Sequence, residues 1–364
     1  MNIGVPKEII PQEYRVGINP ETAQLLIENG HKLFIQDGAG SDSGYENDDY
    51  EKIGCSILNN AEDVFNEAEL IVKVKEPSFE EVELLNGKTI FTYLHLSSSK
   101  ELTEKLLEHN VIGIAYETVD VDGELPMLKP MSEIAGRLSL LDCISLLKKN
   151  NQGKGKLISG TSLADPANVL ILGAGIVGVN ALQMSVGLCA NTTILDINES
   201  RLSDIKAQYP QANTLISTPE TINKLLPTMD IVIGAVLTAG AKPPTLITRE
   251  MLQLMQSKSI LSDVSIDQGG CFETSKPTTH DNPTYDVDNI IHYCVKNIPS
   301  AVPFTATNAL NEATRPFILR LANNNGVKGD NELIMGLNTY KGFLTNKEVA
   351  TAHSLDYTDS DKIL

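Results

Sequence analysis

Residues 168–182, NVLILGAGIVGVNAL, place three glycines between two apolar tracts. Gly173, Gly175 and Gly178 stand where a strand would be followed by a helix. In this spacing the first glycine permits a tight turn, the second lets a ligand approach the backbone, and the third allows close helix packing. The N-terminus of the helix then favours an anionic group such as pyrophosphate. Alone, the stretch also fits a glycine-rich turn in a sheet that binds no nucleotide.

A carboxylate further along the chain favours the dinucleotide interpretation. Asp196 ends the apolar run TTIL and lies 23 residues after Gly173. This is close to the offset of about 20 residues at which such folds place an acid on the adenosine ribose. An acid there accepts hydrogen bonds from the ribose hydroxyls of NAD and repels the 2′-phosphate of NADP. We therefore predict NAD as the cofactor, while Arg201 keeps NADP open as an alternative.

Length, charge and cysteine spacing limit the class of protein. With 364 residues, the chain exceeds the roughly 250–300 residues of a single core, which predicts two domains. A net charge of −18 argues against nucleic-acid or anionic-membrane partners, which need basic surfaces. Five scattered cysteines indicate neither a disulfide framework nor a metal site. Because MNIGVPKEIIPQEYR lacks a secretory pattern, we expect a cytoplasmic protein.

Alternation of strand-like and helix-like segments predicts an α/β fold. Four strand-like tracts lie in the first 120 residues, and helix-like segments separate them: HKLFIQDGAG, AELIVKVKEP, KTIFTYLHLS and NVIGIAYETV. One such helix has an N-cap at Asn19, Pro20 at its first position and a closing Gly30. This pattern is typical of a parallel sheet covered on both faces.

A second series of strands begins after a turn-rich stretch at residues 121–130 and a long helix-like segment. Its strand-like tracts are NVLILGAG, NTTILDIN, MDIVIGAV and KSILSDVSI, and NIIHYCVKNIPSAVP closes it. The proline-interrupted segment KNIPSAVPFTAT leads to another helix from about residue 307 to 322. We therefore predict a Rossmann-type NAD domain of residues 129–305. It is inserted into a discontinuous, Rossmann-like catalytic domain of residues 1–128 and 306–364.

Polar residues at the ends of predicted strands suggest a reaction site. Arg15 lies between the first strand and a helix start, where a guanidinium can bind a carboxylate bidentately. Lys75 lies at the end of the predicted strand in AELIVKVKEP, and His95 lies at the end of the next one, in KTIFTYLHLS. Ligands of parallel sheets bind at such strand ends. Asp267 ends the predicted strand in SDVSIDQGGC, where it could approach a nicotinamide ring. Each residue also fits an ordinary surface, packing or turn role.

The chain resembles the alanine dehydrogenases and the related NAD-binding subunit of proton-translocating nicotinamide nucleotide transhydrogenase. The resemblance runs from VPKE at 5–8 almost to the C-terminus, and the following motifs carry it: EYRV, KVKEP, LHLSSSK, AYETV, MSEIAGR, ILGAGIVG, IGAVLTAGAKPP and IPSAVPFTAT. The stretch IDQGGC is typical of the dehydrogenases and not of the transhydrogenase subunits.

This resemblance implies reversible, NAD-dependent deamination of L-alanine to pyruvate and ammonium by a homohexamer acting in L-alanine catabolism. It implies that Arg15 and Lys75 hold the substrate carboxylate and polarise its carbonyl, that His95 is the catalytic acid-base, and that Asp267 is the second catalytic residue. The implied cofactor contacts are Ser132, Gly173, Gly175, Ile176, Gly178, Asp196, Arg201, Ser217, Val236, Leu237, Val264, Ser265, Ile266, Asp267, Lys276, Val295, Lys296, Asn297 and Ile298. Lys276 stands where an arginine is common.

Three alternatives stay open on the sequence. A related dehydrogenase could accept a larger amino acid, because the motifs do not define pocket size. A transhydrogenase-like subunit would exchange hydride between nucleotides beside a membrane partner, and IDQGGC argues against it. A non-catalytic NADH-binding or scaffold protein would have no need of Lys75, His95 and Asp267 together.

Overall fold

A computed structural model describes residues 1–236 and 243–364 of the chain, which form two compact units. Unit 1 comprises Met1–Met131 and Ser300–Leu364, and unit 2 comprises Ser132–Pro299. The predicted boundaries, 128/129 and 305/306, fall within six residues of these. The α/β class, with one unit inserted into a discontinuous one, is confirmed. No helix among the described residues is long and apolar enough to cross a membrane.

Short strands and helices alternate along most of the chain. The strands are β1 (Asn2–Val5), β2 (Lys32–Gln36), β3 (Ser56–Leu58), β4 (Leu70–Val72), β5 (Thr89–Thr92), β6 (Ile112–Ala115), β7 (Asn168–Leu172), β8 (Asn191–Asp196), β9 (Asn213–Ile216), β10 (Ile231–Gly234), β11 (Ile260–Asp263), β12 (Thr284–Val287), β13 (Ile290–Tyr293), β14 (Leu337–Tyr340) and β15 (Phe343–Leu344).

The helices cover the faces of the sheets, as parallel strands require. They are α1 (Pro20–Glu28), α2 (Asn47–Glu51), α3 (Ala61–Glu67), α4 (Phe79–Leu84), α5 (Lys100–Glu108), α6 (Leu128–Leu146), α7 (Ile176–Gly187), α8 (Glu199–Gln208), α9 (Pro219–Leu225), α10 (Pro303–Asn323), α11 (Asn331–Met335) and α12 (Lys347–His353). The side chain of Asn19 caps α1 by accepting a hydrogen bond from the Thr22 amide, as predicted for this helix start.

The sheet of unit 1 has the strand order β15-β14-β6-β5-β4-β1-β2-β3. Strands β1 to β6 are parallel, and β14 and β15 add an antiparallel edge. Strand order reverses between β1 and β4, which is where doubly wound sheets bind ligands. The turn after β1 approaches β4 closely, because a Cβ on Gly17 would lie 2.6 Å from the Val72 carbonyl oxygen. Only glycine fits there.

The sheet of unit 2 has the order β12-β13-β11-β10-β7-β8-β9, with β12 antiparallel and the others parallel. Its strand order reverses between β7 and β10, as in a Rossmann fold. The strands that the sequence did not predict are β3, β9, β12, β14 and β15. All of these lie at or beside an edge of their sheet. None contains more than two consecutive apolar residues, so the apolar signal of each is weak.

Candidate active site and dinucleotide site

The three predicted substrate residues follow neighbouring strands of unit 1. Arg15 follows β1, Lys75 follows β4 and His95 follows β5, and these strands are adjacent and parallel. The structure therefore brings all three to the same side of the sheet, at the carboxyl ends of these strands. The predicted strand ends were wrong, since β4 ends at Val72 and β5 at Thr92. Lys75 and His95 thus lie in the loops beyond the strands, where side chains are freer to meet a ligand.

The Arg15 guanidinium is buried and paired with Glu13. Its Nε and Nη2 atoms donate to the two Glu13 carboxylate oxygens at 2.7 and 2.5 Å, and Nη1 lies 2.9 Å from Met131 Sδ. Burial opposes the charge of Arg15, but the Glu13 carboxylate outweighs burial and raises the Arg15 pKa. Arg15 is therefore a fixed cation, oriented by a bidentate pair before any substrate arrives.

The turn that carries Lys75 is held by a buried carboxylate. Oε1 of Glu8 accepts hydrogen bonds from the backbone amides of Val74 at 2.6 Å and Lys75 at 3.4 Å. Its Oε2 lies 3.3 Å from Nζ of Lys73, which also donates to Glu81 at 3.0 Å. Burial disfavours the charge of Glu8 and outweighs the opposing effect of the Lys73 ammonium, so the pKa of Glu8 is raised, and the negative charges of Glu13 and Glu81 add to the shift. The side chain of Lys73 is buried, whereas that of Lys75 is only partly buried.

The His95 ring contacts two other side chains at the carboxyl ends of these strands. Its Nδ1 atom is 3.1 Å from Oε2 of Glu76, and the Tyr93 ring stacks on it at a centroid distance of 5.8 Å. Burial opposes ionisation of Glu76, but the hydrogen bond and charge of His95, with the charge of Lys75, lower the Glu76 pKa. Glu76 is therefore a carboxylate at neutral pH and can orient and stabilise a protonated imidazole.

The site contains four carboxylates that the sequence analysis did not assign. They are Glu8, Glu13, Glu76 and Glu117, and the last accepts hydrogen bonds from the amides of Leu94 and His95. All four lie in segments that follow strands, and all four lie in motifs quoted above: VPKE, EYRV, KVKEP and AYETV. The same strand-end rule that selected Arg15, Lys75 and His95 could therefore have found them.

The glycine turn of unit 2 has the shape predicted from its spacing. Gly173 has φ +104°, and a Cβ there would lie 2.6 Å from the Ala235 carbonyl oxygen. A Cβ on Gly178 would lie 1.9 Å from the Gly173 carbonyl oxygen, so both positions need glycine. By contrast, no described atom lies within 4 Å of a Cβ built on Gly175, the N-cap of α7. The space beside Gly175 is open at a helix N-terminus, which suits a pyrophosphate.

Asp196 and Arg201 hold the two backbone polar groups of one residue of this turn, Ala174. The Asp196 carboxylate, at the end of β8, accepts from the Ala174 amide at 2.6 Å and from the Asn198 amide at 2.9 Å. Arg201 Nε donates to the Ala174 carbonyl oxygen at 3.1 Å. A carboxylate oxygen can accept more than one hydrogen bond, so Asp196 retains capacity for ribose hydroxyls. Its negative charge beside the turn favours NAD over NADP.

Most of the other predicted cofactor residues also follow the carboxyl ends of unit 2 strands. Ser217 follows β9, Val236 follows β10, residues 264–267 follow β11, and residues 295–298 follow β13. Ile176 begins α7, Ser132 lies in α6, and Lys276 is exposed in a loop. Leu237 lies outside the described residues. The side chains of Ile266, Val295 and Ile298 are buried, so contact with a cofactor there would use the backbone.

The carboxylate that ends β11 is Asp263, which corrects the predicted strand end at Asp267. Asp263 is buried and accepts hydrogen bonds from the Cys271 amide at 2.8 Å and the Ser275 hydroxyl at 2.5 Å. It therefore stabilises the IDQGGC loop. Asp267 lies four residues later at an exposed position of a 3₁₀ turn, and Gly269 in the left-handed region ends that turn. Its exposure leaves its carboxylate accessible.

Two family models together match most of the chain. Residues 4–135 match the model described as alanine dehydrogenase/PNT, N-terminal domain, and residues 140–347 match alanine dehydrogenase/PNT, C-terminal domain. Among curated proteins, alanine dehydrogenases from Halomonas elongata and Methanococcus maripaludis are 44% and 46% identical to the chain, and in each case 100% of both proteins is covered. The resemblance found in the motifs is confirmed.

Solved structures give the same result. An L-alanine dehydrogenase matches with a TM-score of 0.94 and 41% identity, covering 97% of this chain and 99% of that one. A transhydrogenase from Sinorhizobium meliloti matches with a TM-score of 0.82 over 95% of this chain and 99% of that one, but at 20% identity. The second likeness concerns the fold alone.

Proposed function

Because the chain belongs to the alanine dehydrogenase/PNT family, we propose that it catalyses NAD-dependent oxidative deamination of L-alanine and the reverse reductive amination. The observation that carries this proposal is that Arg15, Lys75 and His95 follow the carboxyl ends of three adjacent strands of the unit 1 sheet. Relatives named alanine dehydrogenase align with the whole chain. By the same family resemblance we expect a cytoplasmic homohexamer that acts in L-alanine catabolism.

The overall reaction converts L-alanine, NAD⁺ and water to pyruvate, ammonium, NADH and a proton. NAD, when bound, accepts the hydride that leaves Cα of the amino acid. The amine must first lose a proton, because an ammonium group cannot support the imine that forms as hydride departs. Water then adds to the imine, and the resulting carbinolamine collapses to pyruvate and ammonia.

Arg15 and Lys75 bind the substrate carboxylate in this proposal. Arg15 is held in place by Glu13, so its orientation is set before binding and little side-chain entropy is lost. Lys75 supplies a second cation from the neighbouring loop, whose backbone Glu8 fixes. Lys75 also stabilises the negative charge that develops on the carbinolamine or pyruvate oxygen.

His95 is the proton-transfer group. Its Nδ1 atom is engaged by Glu76, so we assign the exchange of protons with substrate and water to Nε2. An imidazole can accept a proton at a ring nitrogen and donate it again, which suits a group that exchanges protons with substrate and water. The Glu76 carboxylate stabilises the protonated form, as a carboxylate partner does in other acid-base pairs.

Asp267 remains the proposed second catalytic residue, acting on the ammonium group or the attacking water. Its exposed position after β11 supports this role, whereas Asp263 is occupied by the loop that follows. The cofactor is held by the glycine turn, by α7 at its N-terminus and by Asp196. The backbone groups of residues 264–267 and 295–298 and the residues Ser132, Arg201, Ser217, Val236, Leu237 and Lys276 complete the proposed contacts.

Consumption of NADH with pyruvate, measured with and without ammonium, tests this function. We expect oxidation of NADH only when ammonium is present, and faster turnover with pyruvate than with larger 2-oxo acids. Activity without ammonium would indicate a 2-hydroxy acid dehydrogenase, and ammonium-independent exchange between nucleotides would indicate a transhydrogenase. As a site control, His95→Ala should lower turnover about 10²- to 10⁴-fold and leave a small residual rate, while NADH binding is retained. Turnover near the wild-type rate would remove the role of His95.

A further inference from the structure

His95 adopts a backbone conformation that its side chain disfavours. Its φ and ψ are 49° and 34°, in the left-handed region. For a residue other than glycine this conformation is strained, because its Cβ comes too close to the following carbonyl oxygen. If the backbone of residue 95 returned to an ordinary conformation, the imidazole would leave the chain in a different direction. Some interaction must therefore hold residue 95 where it is.

The interaction is provided by one carboxylate that binds two consecutive amides. Oε1 of Glu117 accepts from the His95 amide at 2.6 Å, and both Glu117 oxygens accept from the Leu94 amide, at 3.1 and 3.2 Å. Hydrogen bonds from amides to a carboxylate are stronger than those between neutral groups. Glu117 belongs to the segment after β6, which neighbours β5 in the sheet. Its position is thus fixed independently of the His95 loop.

The carbonyl group of residue 95 is also held. The His95 carbonyl oxygen accepts from the Ser98 amide at 2.9 Å and from its hydroxyl at 2.7 Å. The imidazole contacts Glu76 and Tyr93, as described above, and the hydrogen bonds of Glu117 are to the backbone. Glu117 therefore influences the imidazole through the backbone conformation of residue 95.

We propose that Glu117 is a positioning residue for the reaction: it holds His95 in the left-handed conformation that directs the imidazole toward the substrate. This inference rests on the proposed function, because it gives Glu117 a part in the proton transfer assigned to His95. A positioning role differs from a purely structural one. If Glu117 only stabilised the fold, replacing it would lower stability without selectively lowering kcat.

The test compares Glu117→Gln and Glu117→Ala with a matched control, Glu104→Gln, whose exposed side chain pairs only with Lys100 among the described residues at 3.7 Å. We expect Glu117→Ala to lower kcat for L-alanine about 100-fold, as a small misplacement of a reacting group does. Glu117→Gln keeps one acceptor oxygen and should lose less. KM for L-alanine and the Kd of NADH should stay within about twofold of wild type, as should all values for Glu104→Gln.

A second comparison separates positioning from a general effect on the fold. In a His95→Ala background the imidazole is gone, so adding Glu117→Ala should lower the residual rate by no more than about twofold. An equal loss in both backgrounds would overturn the inference. So would a kcat for Glu117→Ala near the wild-type value, or a rise in KM with kcat unchanged.

Two further controls keep the test decisive. If neither Glu117 variant folds, Glu117→Asp takes their place, because it keeps the charge on a side chain one methylene shorter. A lower kcat with KM unchanged supports the inference, and a kcat near the wild-type value contradicts it. Wild-type enzyme is assayed in parallel: absence of ammonium-dependent activity refutes the proposed function, whereas an active wild type with active Glu117 variants refutes only the role of Glu117.

Discussion

His95 Nδ1 lies 3.1 Å from Glu76 Oε2, so the two side chains meet although they come from loops after different strands. Parallel neighbours β4 and β5 make this contact possible, because their carboxyl ends share one edge of the sheet. Glu76 directly follows Lys75, so one short loop supplies both a cation for the substrate and a partner for the imidazole. This pairing makes the properties of His95 depend on Glu76.

Replacing Glu76 by glutamine should impair proton transfer. We expect Glu76→Gln to lower kcat about tenfold or more, because a neutral amide cannot stabilise the protonated imidazole as a carboxylate does. NADH binding should be unchanged. Steady-state kinetics of L-alanine deamination measures the effect. Glu83→Gln, which alters an exposed pair with Lys105, is the control, and equal activity of both variants would contradict the role of Glu76.

The same pair predicts a pH dependence of stability. The folded-state pKa of Glu76 lies below its ordinary value of 4.5, so its contribution is fully present above that pH. It is lost as the pH falls through the lower folded-state pKa. Urea unfolding should therefore show a difference between wild type and Glu76→Gln at pH 7 that shrinks below about pH 4.5. A difference that grew with acidification would have the wrong sign.

Replacement by methionine should mainly lower stability at Lys73 and mainly lower activity at Lys75. In Lys73→Met, Glu8 and Glu81 lose a buried cation, and breaking such a pair costs about 3–5 kcal/mol of unfolding free energy. In Lys75→Met, we expect little change in stability but loss of most activity. Chemical denaturation and steady-state kinetics separate the two effects. If Lys75→Met were the less stable protein, or Lys73→Met folded normally, the assignment of the two lysines would be wrong.

The glycines of the turn offer a matched series of alanine substitutions. Gly178→Ala should destabilise unit 2, because its Cβ would lie 1.9 Å from the Gly173 carbonyl oxygen. Gly187→Ala, in the same helix, is the control: apart from its chain neighbours and the nearby backbone of its own helix, no described atom lies within 4 Å of its Cβ. Alanine also favours a helix by about 0.5–1 kcal/mol. Thermal unfolding compares the two.

Gly175→Ala tests whether the cofactor closely approaches the backbone of the glycine turn. No described atom lies within 4 Å of the added methyl group, and φ at this residue is −71°, so folding should be normal. We expect NADH affinity to fall at least about tenfold, because the methyl group occupies the space where the pyrophosphate meets the backbone. Fluorescence titration measures the Kd, and unchanged affinity would show that the cofactor does not approach Gly175.

Asp196→Ala should change cofactor preference. We expect NADH affinity to fall about 10- to 100-fold, since hydrogen bonds to a charged acceptor contribute about 1.5–3 kcal/mol each. NADPH affinity should fall less, because the repulsion of its 2′-phosphate is also removed. Asp196→Asn, which retains an acceptor for the Ala174 amide, controls for loosening of the glycine turn. Equal losses for both nucleotides would contradict the ribose assignment.

The sequence by itself determined the features that depend on neighbouring residues. The glycine turn, the capped start of α1, the long helices α6 and α10, and the central strands of both sheets follow from local spacing and apolar pattern. The motifs also determined the family. Gly173 and Gly178 occupy the predicted turn because a tight turn imposes its requirements within a few residues. Asp196 ends β8, as its place directly after the apolar run TTIL predicted.

Only the tertiary structure decided which charged groups are buried and which meet each other. KVKEP does not reveal that Lys73 lies between Glu8 and Glu81, or that Glu8 binds the Val74 amide 66 residues away. Likewise, SDVSIDQGGC does not show that Asp263 is buried and Asp267 exposed. Burial and pairing of a charge depend on atoms brought together by the sheet, and these come from distant parts of the chain.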